Sequence, residues 1–365
     1  MAVLHGCGGG TEPGSPVLLP VVRSDAVPSD ADDPAIWVNP DDPAQSLILG
    51  TNKAAAPDGA LFVFGLDGRQ RQVIDGIDRP NNVDVEYGLP LGDGMADIAV
   101  LTERLQNRLR VFRIFPNEGM LQDVSSNGGI PVFDGEPGEA ALPMGVALYR
   151  RPADGAIFAI VGRKTGPREG YLWQYRLEDD GAGRVKGTKV REFGAFSGDG
   201  EIEAIAVDDE LGCVYFADEL AGIRKWPADP DHPDAGRELA LFGTEGFAGD
   251  REGIAIYALE DGTGYVICTD QIEGNSRYLI YRREGSASNP HDHSEVVKIV
   301  RGGADETDGI DATSASLGPR FPNGLLVAMN SGDRNFLLFD WAGVARTGVP
   351  ELAIRGVAAE PARRH

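Results

Sequence analysis

In the stretch EIEAIAVDDELGCVYFADE, residues 201–219, acids stand at the outer ends of two short apolar runs. Glu201 and Glu203 precede IAV, and Asp218 and Glu219 follow CVYFA. If the two runs form a hairpin, both groups come to one end of it. Acids are poor strand formers and like charges repel across a pair of strands, so the crowding calls for a cation or a chemical task.

Five other segments repeat this plan of apolar run, turn and second apolar run. The first runs begin at Asp33, Asn82, Met144, Glu203, Glu252 and Asp308. The second runs end at Lys53, Arg104, Lys164, Glu219, Gln271 and Asn330. Three cations are thus followed by three acids or amides. Singly, each is an ordinary solvated turn residue, and it is the sorting by sign that points to a site. The acidic half (Glu203, Glu219, Asp250, Glu252, Gln271, Asp308) offers oxygen ligands without His or Cys, which suits a hard cation, and Ca²⁺ better than Mg²⁺. The basic half (Lys53, Arg104, Lys164) suits phosphate oxygens. A metal that activates water, facing cations that stabilise developing charge, is a phosphoryl-transfer arrangement.

The elements that must position these residues are strands. Start to start, the segments lie 49, 62, 59, 49 and 56 residues apart. Each has apolar runs with Gly, Pro and Asp at the turn, and further strand-like runs such as ALFVFGL, LRVFRIF and NFLLFDW follow. Two hairpins per repeat make a four-stranded sheet, and six such sheets predict an all-β, six-bladed β-propeller with four-stranded blades. A sandwich has no reason to repeat six times. Innermost strands of a propeller line a central channel, so the residues tabulated above gather on one rim. Either the amino-terminal VLLPVV or the carboxy-terminal ELAIR supplies an outer strand that closes the ring.

At 365 residues and 42% hydrophobic, the chain can bury a large core. The formal charge of −23 argues against nucleic acid or an anionic membrane as partner. Of three cysteines, Cys213 and Cys268 lie in strand-like runs and are expected to be buried thiols. Cys7, in LHGCGGG, resembles the end of a bacterial lipoprotein signal, although the charged and apolar regions that precede such a cysteine are missing. The expectation is an exported protein, periplasmic or secreted, in which a lipid anchor, if one is attached, would be on Cys7. Residues 1–18 are read as signal remnant and linker, 19–357 as the propeller and 358–365 as a tail.

DDPAIWVNP, GTNK, NNVDVEY, EAIAVDDELGCVYFADE, DREGIAIY and ETDGID, in this order and spacing over roughly residues 30–345, resemble the signature segments of the β-propeller (alkaline) phytases. The resemblance implies a monomeric, 3-phytase-like phosphoric monoester hydrolase with several calcium ions. It implies hydrolysis of phytate or calcium–phytate by direct attack of calcium-activated water, with a neighbouring phosphate held beside the one cleaved. By the same resemblance Lys53, Arg104 and Lys164 are phosphate-binding and catalytic, with Asn82 as a substrate contact and Glu203 shared between catalysis and metal. Asp32, Glu203, Glu219, Asp250, Glu252, Gln271 and Asp308 match the calcium-binding side.

The sequence departs from the family pattern at Met144 (usually Tyr), Asn39 (His), Ala204 (Gly), Gly302 (Asp) and Asn330 (Asp). Gly302 and Asn330 bear on a calcium ligand set, and Met144 lacks a hydroxyl that could donate to phosphate. Two other functions fit parts of the pattern. A calcium-dependent lactonase or esterase shares the acidic mouth but does not need the three cations together. A catalytically impaired propeller that binds a partner needs an apolar rim. His291 and His293 form a His-x-His pair that reads as a solvated turn rather than a zinc site. No P-loop, nucleophile elbow or Arg-His-Gly phosphatase motif occurs.

Overall fold

A computed structural model describes residues 16–354. Cys7, most of the expected linker and the tail 358–365 lie outside the described residues. The expected architecture is borne out. Six antiparallel sheets follow one another along the chain, and each winds outward from an innermost strand.

The first blade contains Ala31–Trp37, Leu47–Asn52, Leu61–Gly65 and Gln70–Ile74. The second runs Pro80–Leu91, Gly94–Glu103 and Arg108–Phe115, and its outer edge is divided between Met120–Asp123 and Ile130–Pro131, a fifth strand that the repeat does not announce. Blades three to five begin at Pro143, Ile205 and Ile254, each with four strands. The sixth takes three strands from Ile310–Thr313, Leu325–Asn330 and Asn335–Asp340. Its fourth is Val22–Arg23, in register with Leu338 and Leu337. The amino-terminal run therefore closes the ring. Among the described residues the competing segment near Leu352 adds no strand. It packs instead on the short helix Trp341–Arg346, where the Trp341 indole donates to the Ala353 carbonyl at 2.9 Å and stacks on Tyr257, with ring centroids 3.6 Å apart.

Hydrophobic clusters fill the six blade-to-blade interfaces. This explains why second strands such as Leu47–Asn52, Cys213–Asp218 and Leu325–Asn330 are apolar and buried along their whole length. Both of their faces meet a neighbouring blade, as in sheets covered on both sides. Burying one such Leu, Ile or Phe contributes about 1.5–3 kcal/mol. Cys213 and Cys268 are free thiols in these strands, as expected. The innermost strands of all six blades line a central cavity of about 170 Å³.

Candidate active site

Strand pairing assembles the rim. Ala31 pairs with Asn52, Pro80 with Glu103 and Pro143 with Arg163. Lys53, Arg104 and Lys164 each follow the last residue of a second strand, beside the start of the innermost strand of the same blade. Gly145 allows the third and fourth blades to close up there: a Cβ on it would lie 1.9 Å from the Glu203 carbonyl oxygen.

Basic and acidic residues do not stay in separate halves. Blade six adjoins blade one, so the Lys53 ammonium meets Asp308 at 2.9 Å and Asp32 at 3.0 Å, and lies 3.8 Å from Glu203. Burial pulls the Lys53 pKa down, but Asp32, Glu203 and Asp308 outweigh it and hold the ammonium firmly protonated. Glu203 also accepts from the Asn81 amide. That same nitrogen lies 3.1 Å from Asn82 Oδ1, and Asn81 Oδ1 makes a long 3.5 Å contact with Arg104. Asn81 thereby ties Asn82, expected from the sequence as a substrate contact, the cation Arg104 and the acid Glu203 into one chain.

On the opposite side Lys164 pairs with Glu201, and Glu219 accepts from the Glu201 backbone N–H at 2.9 Å. Glu201, Glu203 and Glu219 each offer a carboxylate oxygen within 4.8 Å of the others. Gln271 donates to Asp308, which leaves its own carbonyl for another partner. Asp250 is exposed, and its carbonyl accepts from the Gln271 N–H at 3.0 Å.

Electrostatics show what these acids lack. Burial raises the carboxyls of Asp32, Glu252 and Asp308 above the usual range, with like charges adding to the effect. Burial, then Glu203 and Asp250, pushes Glu219 up to about 7. One buried oxygen of Asp32 and one of Glu252 have no hydrogen-bond partner. Buried carboxylate oxygens are costly when unpaired. An oxygen-only donor set with unsatisfied buried lone pairs fits a hard divalent cation. The cations are under the opposite strain. Burial, then Arg79, lowers the pKa of Arg104, and burial, then Arg104, lowers that of Lys164. An anion placed between them relieves both.

All the site residues read from the sequence thus lie on this rim. Asn81 and Glu201 were not among them. The Asn81–Asn82 pair in NNVDVEY and the Glu-x-Glu spacing of 201 and 203 were the available signals.

The departures from the family pattern find local reasons. Met144 is 1% exposed, so its thioether is packed away and leaves no open position for a hydroxyl. A Cβ at Gly302 would lie 2.1 Å from the Tyr278 ring, which therefore occupies the space a carboxylate would need. Asn330 accepts from the Asp305 N–H and donates to Asn335, both at 2.9 Å, and so ties loops together. Asn39 caps its turn by accepting from the N–H groups of Asp41 and Asp42. His293 corrects the expectation of a solvated turn. It is buried between Tyr215 and Phe242, with Nδ1 2.8 Å from the Arg282 carbonyl and Nε2 3.1 Å from the Lys225 ammonium.

Fold and site together define a propeller hydrolase of phosphoric monoesters. The chain belongs to the phytase family, whose sequence model, Phytase, matches residues 18–341. A 3-phytase of Bacillus subtilis (strain 168) is 33% identical over 331 residues, which is 87% of this chain and 80% of that protein. A crystal structure of a protein from Lactobacillus plantarum superposes with a TM-score of 0.51 at 13% identity, over 93% of this chain and 88% of that one, a likeness of fold alone. Regucalcin from Agrobacterium tumefaciens, described as a calcium-binding protein, gives a TM-score of 0.49 at 13% identity, over 93% of this chain and 99% of that one.

Proposed function

We propose that this chain hydrolyses phytate, inositol hexakisphosphate, in a calcium-dependent reaction. The observation that carries the reading is the convergence on one rim of three cations with an oxygen-only cluster that holds unsatisfied buried carboxylate oxygens. In this reading Lys53, Arg104 and Lys164 bind phosphate oxygens, Arg104 through a guanidinium that can grip two at once. Asn81 and Asn82 present amides that orient the ester beside them. Glu201, Glu203 and Glu219, with Asp32, Glu252 and Asp308 nearby, are the residues that would hold the cation. When bound, calcium supplies positive charge that offsets these acids and the substrate, and it lowers the pKa of coordinated water.

A lactonase or esterase of the same fold has no use for the three cations together. The test is release of inorganic phosphate from inositol hexakisphosphate, with calcium present and after chelation. Release only with calcium is expected. Full activity in the chelated protein, or none in either condition, would overturn the reading.

A further inference from the structure

Arg251 stands between Asp250 and Glu252 in DREGIAIY, at the entry to the innermost strand of the fifth blade. Its side chain is buried, yet among the described residues no carboxylate oxygen lies within 4.0 Å of its guanidinium. Arg224 and Arg283, also buried, each hold two acids. Arg251 donates instead to two main-chain carbonyls, Nε to Gly243 at 2.8 Å and Nη1 to Glu219 at 2.5 Å. Its guanidinium carbon lies 4.3 Å from the centre of the Phe247 ring. Gly243 and Phe247 belong to the loop that joins the fourth blade to the fifth. One side chain therefore folds this loop and ties it to Glu219.

The residue it fastens carries one of the three clustered carboxylates, Glu201, Glu203 and Glu219. Across the seam between the two blades the acids repel one another: Asp250 acts on Glu219, and Glu219 acts on Glu252. In the absence of a cation that repulsion favours a wider seam. The N–H of Glu219 donates to the Glu201 carbonyl and its carboxylate accepts from the Glu201 N–H, both within the fourth blade. The carbonyl of Asp250 accepts from the Gln271 N–H within the fifth. Those bonds hold each side of the cluster but do not cross the seam. The bond from Arg251 to Glu219 does. Ligands held together before the cation arrives lose less free energy to ordering when it binds.

We propose that Arg251 is a positioning residue, which sets the Glu219 carboxylate against Asp250 and Glu252 and so prepares the oxygen cluster for a divalent cation. The inference rests on the proposed function, and Arg251 acts in it through Glu219 rather than by touching cation or substrate.

The test compares Arg251→Met and Arg251→Lys with the wild-type chain. Methionine keeps an unbranched stem but has no donor, and lysine keeps the charge on a single nitrogen that cannot serve both carbonyls as the fork does. Calcium binding to the chelator-stripped proteins is titrated by calorimetry, and melting temperature is read in chelator. Then kcat and KM for inositol hexakisphosphate are read at limiting and at saturating calcium. Arg251→Met should weaken calcium binding by about 10-fold or more. It should lose activity at limiting calcium and regain wild-type kcat and KM at saturation. Arg251→Lys should fall between. If Arg251→Met does not fold, Arg251→Lys decides: several-fold weaker calcium binding supports the proposal, and wild-type binding overturns it. A lower melting temperature in chelator with unaltered calcium affinity would make Arg251 a support for the loop alone and overturn the proposal, as would a kcat that stays low at saturating calcium. A wild-type chain that binds calcium but releases no phosphate would sink the catalytic reading, and calorimetry would still decide the role of Arg251. No calcium binding by the wild type would overturn both.

Discussion

Lys53 and Asp308 form an ion pair of 2.9 Å across the seam where the last blade meets the first. The two residues are 255 positions apart in the chain, and only closure of the ring by Val22–Arg23 makes them neighbours. The pair joins a cation proposed to bind phosphate to an acid proposed to bind the metal. Lys53 balances the charge of Asp32, Glu203 and Asp308, and on the proposed function it binds substrate as well.

Lys53→Ala is therefore expected to do two things. It should lower kcat/KM on phytate by about 10-fold or more, as for loss of a charge-assisted bond. Unlike a rim residue in solvent, it should also destabilise the metal-free protein by roughly 1–3 kcal/mol, because buried acids lose their counter-charge. Adding Asp308→Asn should recover part of that stability, and a double-mutant cycle in urea measures it. Strictly additive effects would show that the pair carries no coupling.

Arg104→Ala and Lys164→Ala should each reduce kcat/KM by about 10-fold or more, since each would remove a phosphate donor. Lys164 differs in being held by Glu201. Glu201→Gln should loosen it and raise KM more than it lowers kcat. Steady-state kinetics on phytate read both numbers, and wild-type values in all three variants would remove these residues from phosphate binding.

Chelation should lower the melting temperature, because a ligand that binds only the folded state stabilises it by about 2.7 kcal/mol at a hundredfold excess over Kd. Glu203→Gln or Glu219→Gln should shrink the calcium-dependent rise in melting temperature by removing one charged oxygen of the cluster. A rise as large as in the wild type would place the stabilising cation elsewhere.

Much of this was legible in the sequence. The six repeats were visible because each second strand is buried on both faces and so reads as an unbroken apolar run, as in LILG or LLVAM. Rim residues were visible because hairpin geometry fixes where such runs begin and end. Contacts between blades were not. Asn81 gains its role from Glu203, in another blade, and spacing along the chain carries no trace of that bond. Arg79 sits outside every run, and its place beside Arg104 is set by backbone bonds between turns. His293 looked solvated in a polar stretch, yet Lys225 and the rings of Tyr215 and Phe242 enclose it. The apparent division of the mouth by sign ignored that a ring brings its ends together.

The inner strands make a last prediction, on pH. Asp84 and Asp311 face the central cavity, and each carboxylate accepts two backbone N–H groups, one from its own strand and one from the next blade. Asp311 takes the Ile36 N–H at 2.7 Å and Asp84 takes that of Leu148 at 2.7 Å, so they lace adjacent blades together. Burial outweighs these bonds and raises Asp84 to about 6; burial, then Asp84, raises Asp311 to about 7. A carboxyl whose pKa is higher in the folded than in the unfolded chain binds its proton more tightly when folded. Its contribution to stability is complete below the unfolded value near 4 and is lost as pH rises through the folded value. Wild-type stability should carry this loss between about pH 4 and 8 from both groups. Asp311→Asn does not titrate. It costs some bonding at every pH, because one N–H then faces an amide nitrogen. Relative to wild type that cost should be largest below about pH 4, still large at pH 5 and smaller at pH 8, shrinking by on the order of 2–4 kcal/mol across the full window. Urea unfolding of both proteins at pH 5 and pH 8, in chelator, measures it. A difference that stays constant between the two pH values would mean that Asp311 titrates alike folded and unfolded, and that the cavity is far more hydrated than its lining implies.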